Sequence, residues 1–237
     1  DNVREAMRYY NISMNLYKSL EDRKGESAIL NNIGTIYLSR NNADSALFYL
    51  NQSRLSSLEI QDNNLLATNY TNMGYAYAIN EDYVGAIEYY QKSYDIAIEF
   101  GLRETMSTSL LNIGDSHMYL ENFETAERSV RAGLEISEEE GYVYNNYIGY
   151  YTLGEINEKR GNYKESLDWF HKAEILNNDL TNAAVINALM DVQSTQLESA
   201  QEREIERINA LNEERISSVR VKNLLYLSLT ILALVVL

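Results

Sequence analysis

Four heptapeptides decide the fold: NNIGTIY at 31–37, TNMGYAY at 71–77, LNIGDSH at 111–117 and YTLGEIN at 151–157. Their glycines, Gly34, Gly74, Gly114 and Gly154, stand 40 residues apart. A second series runs in step, through Ala6, Ala46, Ala86 and Ala126 to Ser166. A bulky residue follows each by four: Tyr10, Leu50, Tyr90, Val130 and Phe170. Short polar turns, SRNNAD, INEDY, LENFE and KRGNY, separate the two series. Self-similarity at a fixed period of this length is the signature of a repeat architecture.

Within each unit the spacing is helical. Leu30, Ile33, Gly34 and Tyr37 fall at i, i+3, i+4 and i+7, one face of a first helix. The glycine lets a neighbouring helix approach closely, at a propensity cost of about 1 kcal/mol against alanine. The small residue of the second helix serves the same contact, and the bulky residue a turn later fills the space between units. One helix pair cannot bury its apolar stripe alone, so neighbours must stack. The pattern predicts an all-α, right-handed solenoid of antiparallel helix pairs, with turns near Asn41, Glu81, Glu121 and Gly161.

Composition agrees and excludes several functions. The 237 residues contain no proline and no cysteine, and all eleven glycines lie at or before Gly161. Disulfides and thiolate chemistry are therefore absent. Only His117 and His171 carry imidazoles; His117 falls on the repeat's aromatic position, and His171 has no partner at metal-ligand spacing. No P-loop, GxSxG or HExxH occurs, Glu138, Glu139 and Glu140 read as a solvated helix end, and no enzyme, metal or cofactor is expected. A net charge of −15 argues against nucleic acid as a partner.

These residues resemble the tetratricopeptide repeat family. Gly74, Tyr77, Tyr83, Ala86, Tyr90 and Ser93 match its pattern, as do Gly154, Gly161, Tyr163, Phe170 and Ala173. Departures are His117 and Asn157 in place of tyrosine, Ala43 in place of the turn aromatic, and the missing closing proline. The 40-residue period resembles the longer-helix branch, which implies binding of extended peptides. The resemblance covers residues 1–180, a partial first repeat and four more. DNVREAMRYY opens inside a second helix, so the sequence reads as a fragment of a longer polypeptide.

Beyond the repeats, residues 181–222 are expected to form a capping helix running into a charged rod. Ile205, Ile208 and Val219 sit on a poor heptad seam, and homodimerisation through 197–222 and an isolated helix stand as alternatives. Residues 223–237 are expected to begin a truncated transmembrane helix, a buried core helix being the alternative. The uncharged run LLYLSLTILALVVL at 224–237 would reach about 21 Å, against a hydrocarbon core of about 30 Å. Arg207, Arg215, Arg220 and Lys222 precede it, which by the positive-inside rule would hold the repeats in the cytoplasm. The order of repeats, charged helix and span resembles the sensory half of bacterial membrane-anchored regulators. That resemblance implies extracytoplasmic (periplasmic) repeats and a kinase or DNA-binding output, and we expect the extracytoplasmic placement.

Candidate binding residues follow from the register. Asn32, Asn72 and Asn112 each precede a helix-A glycine by two, where a helix interior modestly disfavours asparagine. In stacked repeats helix A faces the concave groove, and an amide that both donates and accepts can pair with a peptide backbone. The alternative is that these amides bond the neighbouring repeat. Asn31, Tyr75, Asp115, Tyr151 and Glu155 share the groove by register. Two functions compete: a peptide- or protein-binding sensor of a membrane-anchored signalling or transcription-regulatory protein, and a membrane-tethered scaffold for complex assembly. A cytoplasmic peptide-responsive regulator ranks behind both because of the apolar tail.

Overall fold

Tight turns at 20-residue intervals set the geometry of the chain. The computed structural model describes residues 2–184, 201–203 and 205–209. Eight helices follow one another: α1 (Asn2–Ser19), α2 (Arg23–Leu38), α3 (Ala43–Glu59), α4 (Asn63–Ile79), α5 (Tyr83–Phe100), α6 (Arg103–Tyr119), α7 (Phe123–Glu140) and α8 (Val143–Lys159). Residues 163–180 are helical and close the series. The chain divides into two compact units, Asp1–Leu180 and Thr181–Leu237. Of the second unit, residues 181–184, 201–203 and 205–209 are helical, with Ile205 and Ile208 exposed. The expected seam and membrane segment lie mainly outside the described residues, the apolar run 224–237 entirely so. No helix among the described residues is long and apolar enough to cross a membrane.

Every turn is built alike. Glu21, Asn41, Gln61, Glu81, Gly101, Glu121, Gly141 and Gly161 all adopt left-handed φ values between 54° and 79°. The amide of the next residue returns to a carbonyl five positions earlier, as in Asn42 to Tyr37 at 3.0 Å and Asp82 to Tyr77 at 3.0 Å. This closes the helix C-terminus in a Schellman motif. Where that next residue is Asp22, Asn42, Asp62 or Asp82, its side chain also accepts an amide of the following helix at 2.9–3.1 Å. One residue thus ends a helix and caps the next. Such short connections force consecutive helices antiparallel.

The two small-residue series meet in the interior. A Cβ on Gly74 would sit 2.6 Å from the Tyr90 ring, and one on Gly154 the same distance from Phe170. On Gly34 it would meet Leu50 at 2.7 Å, and on Gly114, Val130 at 2.4 Å. The glycine in each first helix therefore receives the bulky residue of the second. Ala46, Ala86 and Ala126 are fully buried beside them. Tyr37 stacks on Tyr49 at 5.4 Å and Tyr77 on Tyr89 at 4.9 Å, in the same register. The result is a right-handed superhelical solenoid.

Buried hydroxyls add a layer of contacts that the apolar pattern does not announce. Ser27 and Ser53 exchange hydroxyl-to-carbonyl hydrogen bonds at 3.0 and 2.8 Å. Forty residues on, Ser93 donates to the Ala67 carbonyl at 2.9 Å, and forty further Ser107 donates to that of Gly133 at 2.9 Å. Asn69 reaches from the next repeat to Ser57 at 3.1 Å. Small side chains at these positions keep helices close while satisfying buried polar groups.

Candidate ligand groove

Helix A of three consecutive repeats presents one face to a common hollow. Residues of α4, α6 and α8 line a cavity of about 440 Å³, among them Asn72, Tyr75, Asn112, Asp115, Tyr144, Tyr151 and Glu155. Their i, i+3 and i+4 spacing on each helix places them in rows along the groove. Of the eight residues expected there, six line this cavity: Asn72, Asn112, Tyr75, Asp115, Tyr151 and Glu155. Asn32 is exposed and Asn31 buried, and neither lines it.

The three asparagines of the ladder differ. Asn72 donates its amide to Asn31 Oδ1 in the preceding repeat at 2.9 Å. Asn31 is itself buried, and its own amide nitrogen has no partner. For Asn112 the equivalent position in the preceding repeat is Thr71, whose hydroxyl is engaged by Ser93 at 2.8 Å. Asn112 is half-buried against the cavity. At Asn72 the side chain therefore bridges two repeats, whereas at Asn112 it faces the hollow.

Two carboxylates dominate the electrostatics. Asp115 on α6 and Glu155 on α8 are half-buried, and neither joins an ion pair among the described residues. Burial, with the charge of Glu155 adding to it, pushes the Asp115 carboxyl up to about 6. Burial raises Glu155 as well, with Lys159 opposing and Glu158 adding. The cavity lining contains no lysine, arginine or histidine. Tyr75 and Tyr151 are 49% and 43% exposed, so their rings stand available as walls.

Other polar features serve the scaffold. His117 is half-buried, its Nδ1 is unpartnered, and burial lowers its pKa. Arg103 bridges Glu139 and Glu140, and the Tyr150 hydroxyl donates to Glu138 at 2.7 Å, so the acidic run closes the end of α7. A larger hollow of about 740 Å³ lies between α8 and residues 163–180, beside Tyr147, Leu167, Phe170 and His171. Its ionisable groups, Asp168, His171 and Glu174, are exposed, with His171 Nδ1 3.9 Å from a Glu174 carboxylate oxygen.

Residues 65–141 match the tetratricopeptide repeat family. Over that stretch, α4 through α7, the solenoid is built of tetratricopeptide repeats. The apo form of RapI is similar to it, with 19% identity and a TM-score of 0.64, over 75% of this chain and 65% of that one. Aspartyl phosphate phosphatase F from Bacillus subtilis aligns at 17% identity and a TM-score of 0.66, over 74% of this chain and 46% of its own. A signal transduction ATPase with a tetratricopeptide repeat sensor, from Pyrococcus horikoshii, aligns at 19% and 0.60, over 77% and 29%. The chain thus spans less than two thirds of each. At these identities the likeness is one of fold. No curated protein matches the chain.

Proposed function

We propose that this tetratricopeptide solenoid is the peptide- or protein-binding sensor of a membrane-anchored bacterial signalling or transcription-regulatory protein. The observation that carries the reading is the cavity shared by α4, α6 and α8, where amides, tyrosines and unpaired carboxylates converge. A concave site with a few convergent polar groups on a rigid scaffold is where a ligand binds. The repeats supply the recognition surface, and the uncharged run at 224–237 supports attachment to a membrane. The extracytoplasmic side for the repeats follows from the resemblance to membrane-anchored regulators alone, the basic residues before the run favouring the other side. The Pyrococcus protein described as carrying a tetratricopeptide repeat sensor lends the sensory role a precedent.

Selection from a random heptapeptide library on the full chain tests the binding half. Selected peptides are expected to lose affinity about tenfold or more when Tyr75 and Tyr151 are both changed to alanine, the loss of two aromatic contacts. Peptides whose affinity ignores that change would place recognition elsewhere. Removing residues 224–237 is expected to abolish partitioning into membranes. Unchanged partitioning would defeat the anchoring half.

A further inference from the structure

We infer that the groove cavity takes a cationic side chain, arginine or lysine, of the bound peptide between Asp115 and Glu155. This rests on the peptide-binding reading above and names the chemistry of its ligand.

Charge complementarity carries the argument. Taking a carboxylate out of water is costly unless a cation or a set of hydrogen bonds replaces the lost solvent. Two other half-buried carboxylates of this solenoid are ion-paired, Asp62 with Lys24 at 3.1 Å and Glu127 with Arg131 and Arg160, and a third, Asp22, accepts the Gly25 amide. Asp115 and Glu155 are half-buried on facing helices and carry no such partner among the described residues. The nearest cation acting on Glu155 is Lys159, one turn along α8, and its Nζ lies over the Tyr119 ring at 5.8 Å from the centroid. The Asp115 charge in turn raises the pKa of Tyr83, Tyr90 and Tyr119, neutral acids that supply it no positive charge. The cavity that the pair borders is large enough for a guanidinium and its stem, and Tyr75 and Tyr151 supply ring faces for it. A cation set over such a ring is attracted by its quadrupole, and more strongly where water is excluded. Neutral peptides would leave both carboxylates as they are, whereas a cation satisfies the pair and the rings together.

The probe is the random heptapeptide library displayed from its N-terminus, so that no free α-amine competes, selected on the full chain. Arginine or lysine is expected to be enriched at one position. A selected peptide with that residue changed to glutamine should bind about tenfold more weakly. The double change Asp115→Asn, Glu155→Gln should abolish the enrichment while its melting temperature holds or rises, which separates lost recognition from lost folding. Affinity of the cationic peptide for the parent protein should also fall as pH drops through the range in which Asp115 takes up its proton. Peptides selected with no preference for cations, or equal binding of the glutamine peptide, would overturn this inference and leave peptide binding standing. A library that yields no binding peptide would overturn both.

Discussion

Asn72 and Asn112 hold equivalent positions in successive repeats, yet their chemistry differs because the residue each meets differs. Asn72 bonds Asn31, and the partner position for Asn112 holds Thr71, already engaged by Ser93. Asn72→Ala is therefore expected to cost about 1–3 kcal/mol, since it removes a donor from a buried amide oxygen. Asn112→Ala should be neutral or slightly stabilising, alanine being the better helix former. Thermal melts of the two single variants check this, and equal losses would show that register alone sets the role. Asp115 supplies a second prediction. Its folded-state pKa of about 6 lies above the ordinary carboxylate value. The protonated form is favoured by folding, so its contribution is full below the unfolded pKa and is lost as pH rises through about 6. Asp115→Asn should accordingly stabilise the protein by about 1–3 kcal/mol at neutral pH, one pKa unit being about 1.4 kcal/mol. The gain should vanish near pH ~4, where the parent aspartate is itself protonated. A constant gain at all pH values would contradict the burial argument. The sequence places these residues in the groove row, because register does so. It does not say which amide is spent on a neighbour, because that depends on side chains 40 residues away.

Helices are the scale at which the sequence is most readable. Glycine against a bulky residue, Gly34 with Leu50 and Gly74 with Tyr90, is stated by spacing and realised as contact. The turns at Asn41, Glu81, Glu121 and Gly161 fall where the polar segments place them. The intervening turns at Glu21, Gln61, Gly101 and Gly141 use the same left-handed geometry, but their residues are too varied to form a visible series. The serine network of Ser27, Ser53, Ser93 and Ser107 escaped the apolar reading for a similar reason: small polar residues look alike on a surface and in a tight interior. A graded prediction follows for the glycine series. On Gly114 a Cβ would meet not only Val130 but the Ala126 carbonyl oxygen at 2.9 Å, whereas on Gly34 the backbone oxygen of Ala46 lies 3.5 Å away. Gly114→Ala should therefore cost about 1–3 kcal/mol by overpacking, and Gly34→Ala less. Denaturant melts that rank the two in the reverse order would refute the assigned helix approach.

Across the whole solenoid, stacking gives three first helices a common concave face, and function is expected where their rows converge. Each repeat contacts chiefly its neighbours, so a ligand that spans α4, α6 and α8 ties together units that otherwise open separately. Hydrogen–deuterium exchange of the full chain, with and without a peptide selected on it, measures this directly. Bound peptide is expected to slow exchange in the segments around residues 71–75, 108–115 and 144–155, and to leave the outward faces of α3, α5 and α7 unchanged. Protection confined to α5 and α7, or to the hollow beside Leu167 and His171, would contradict the account.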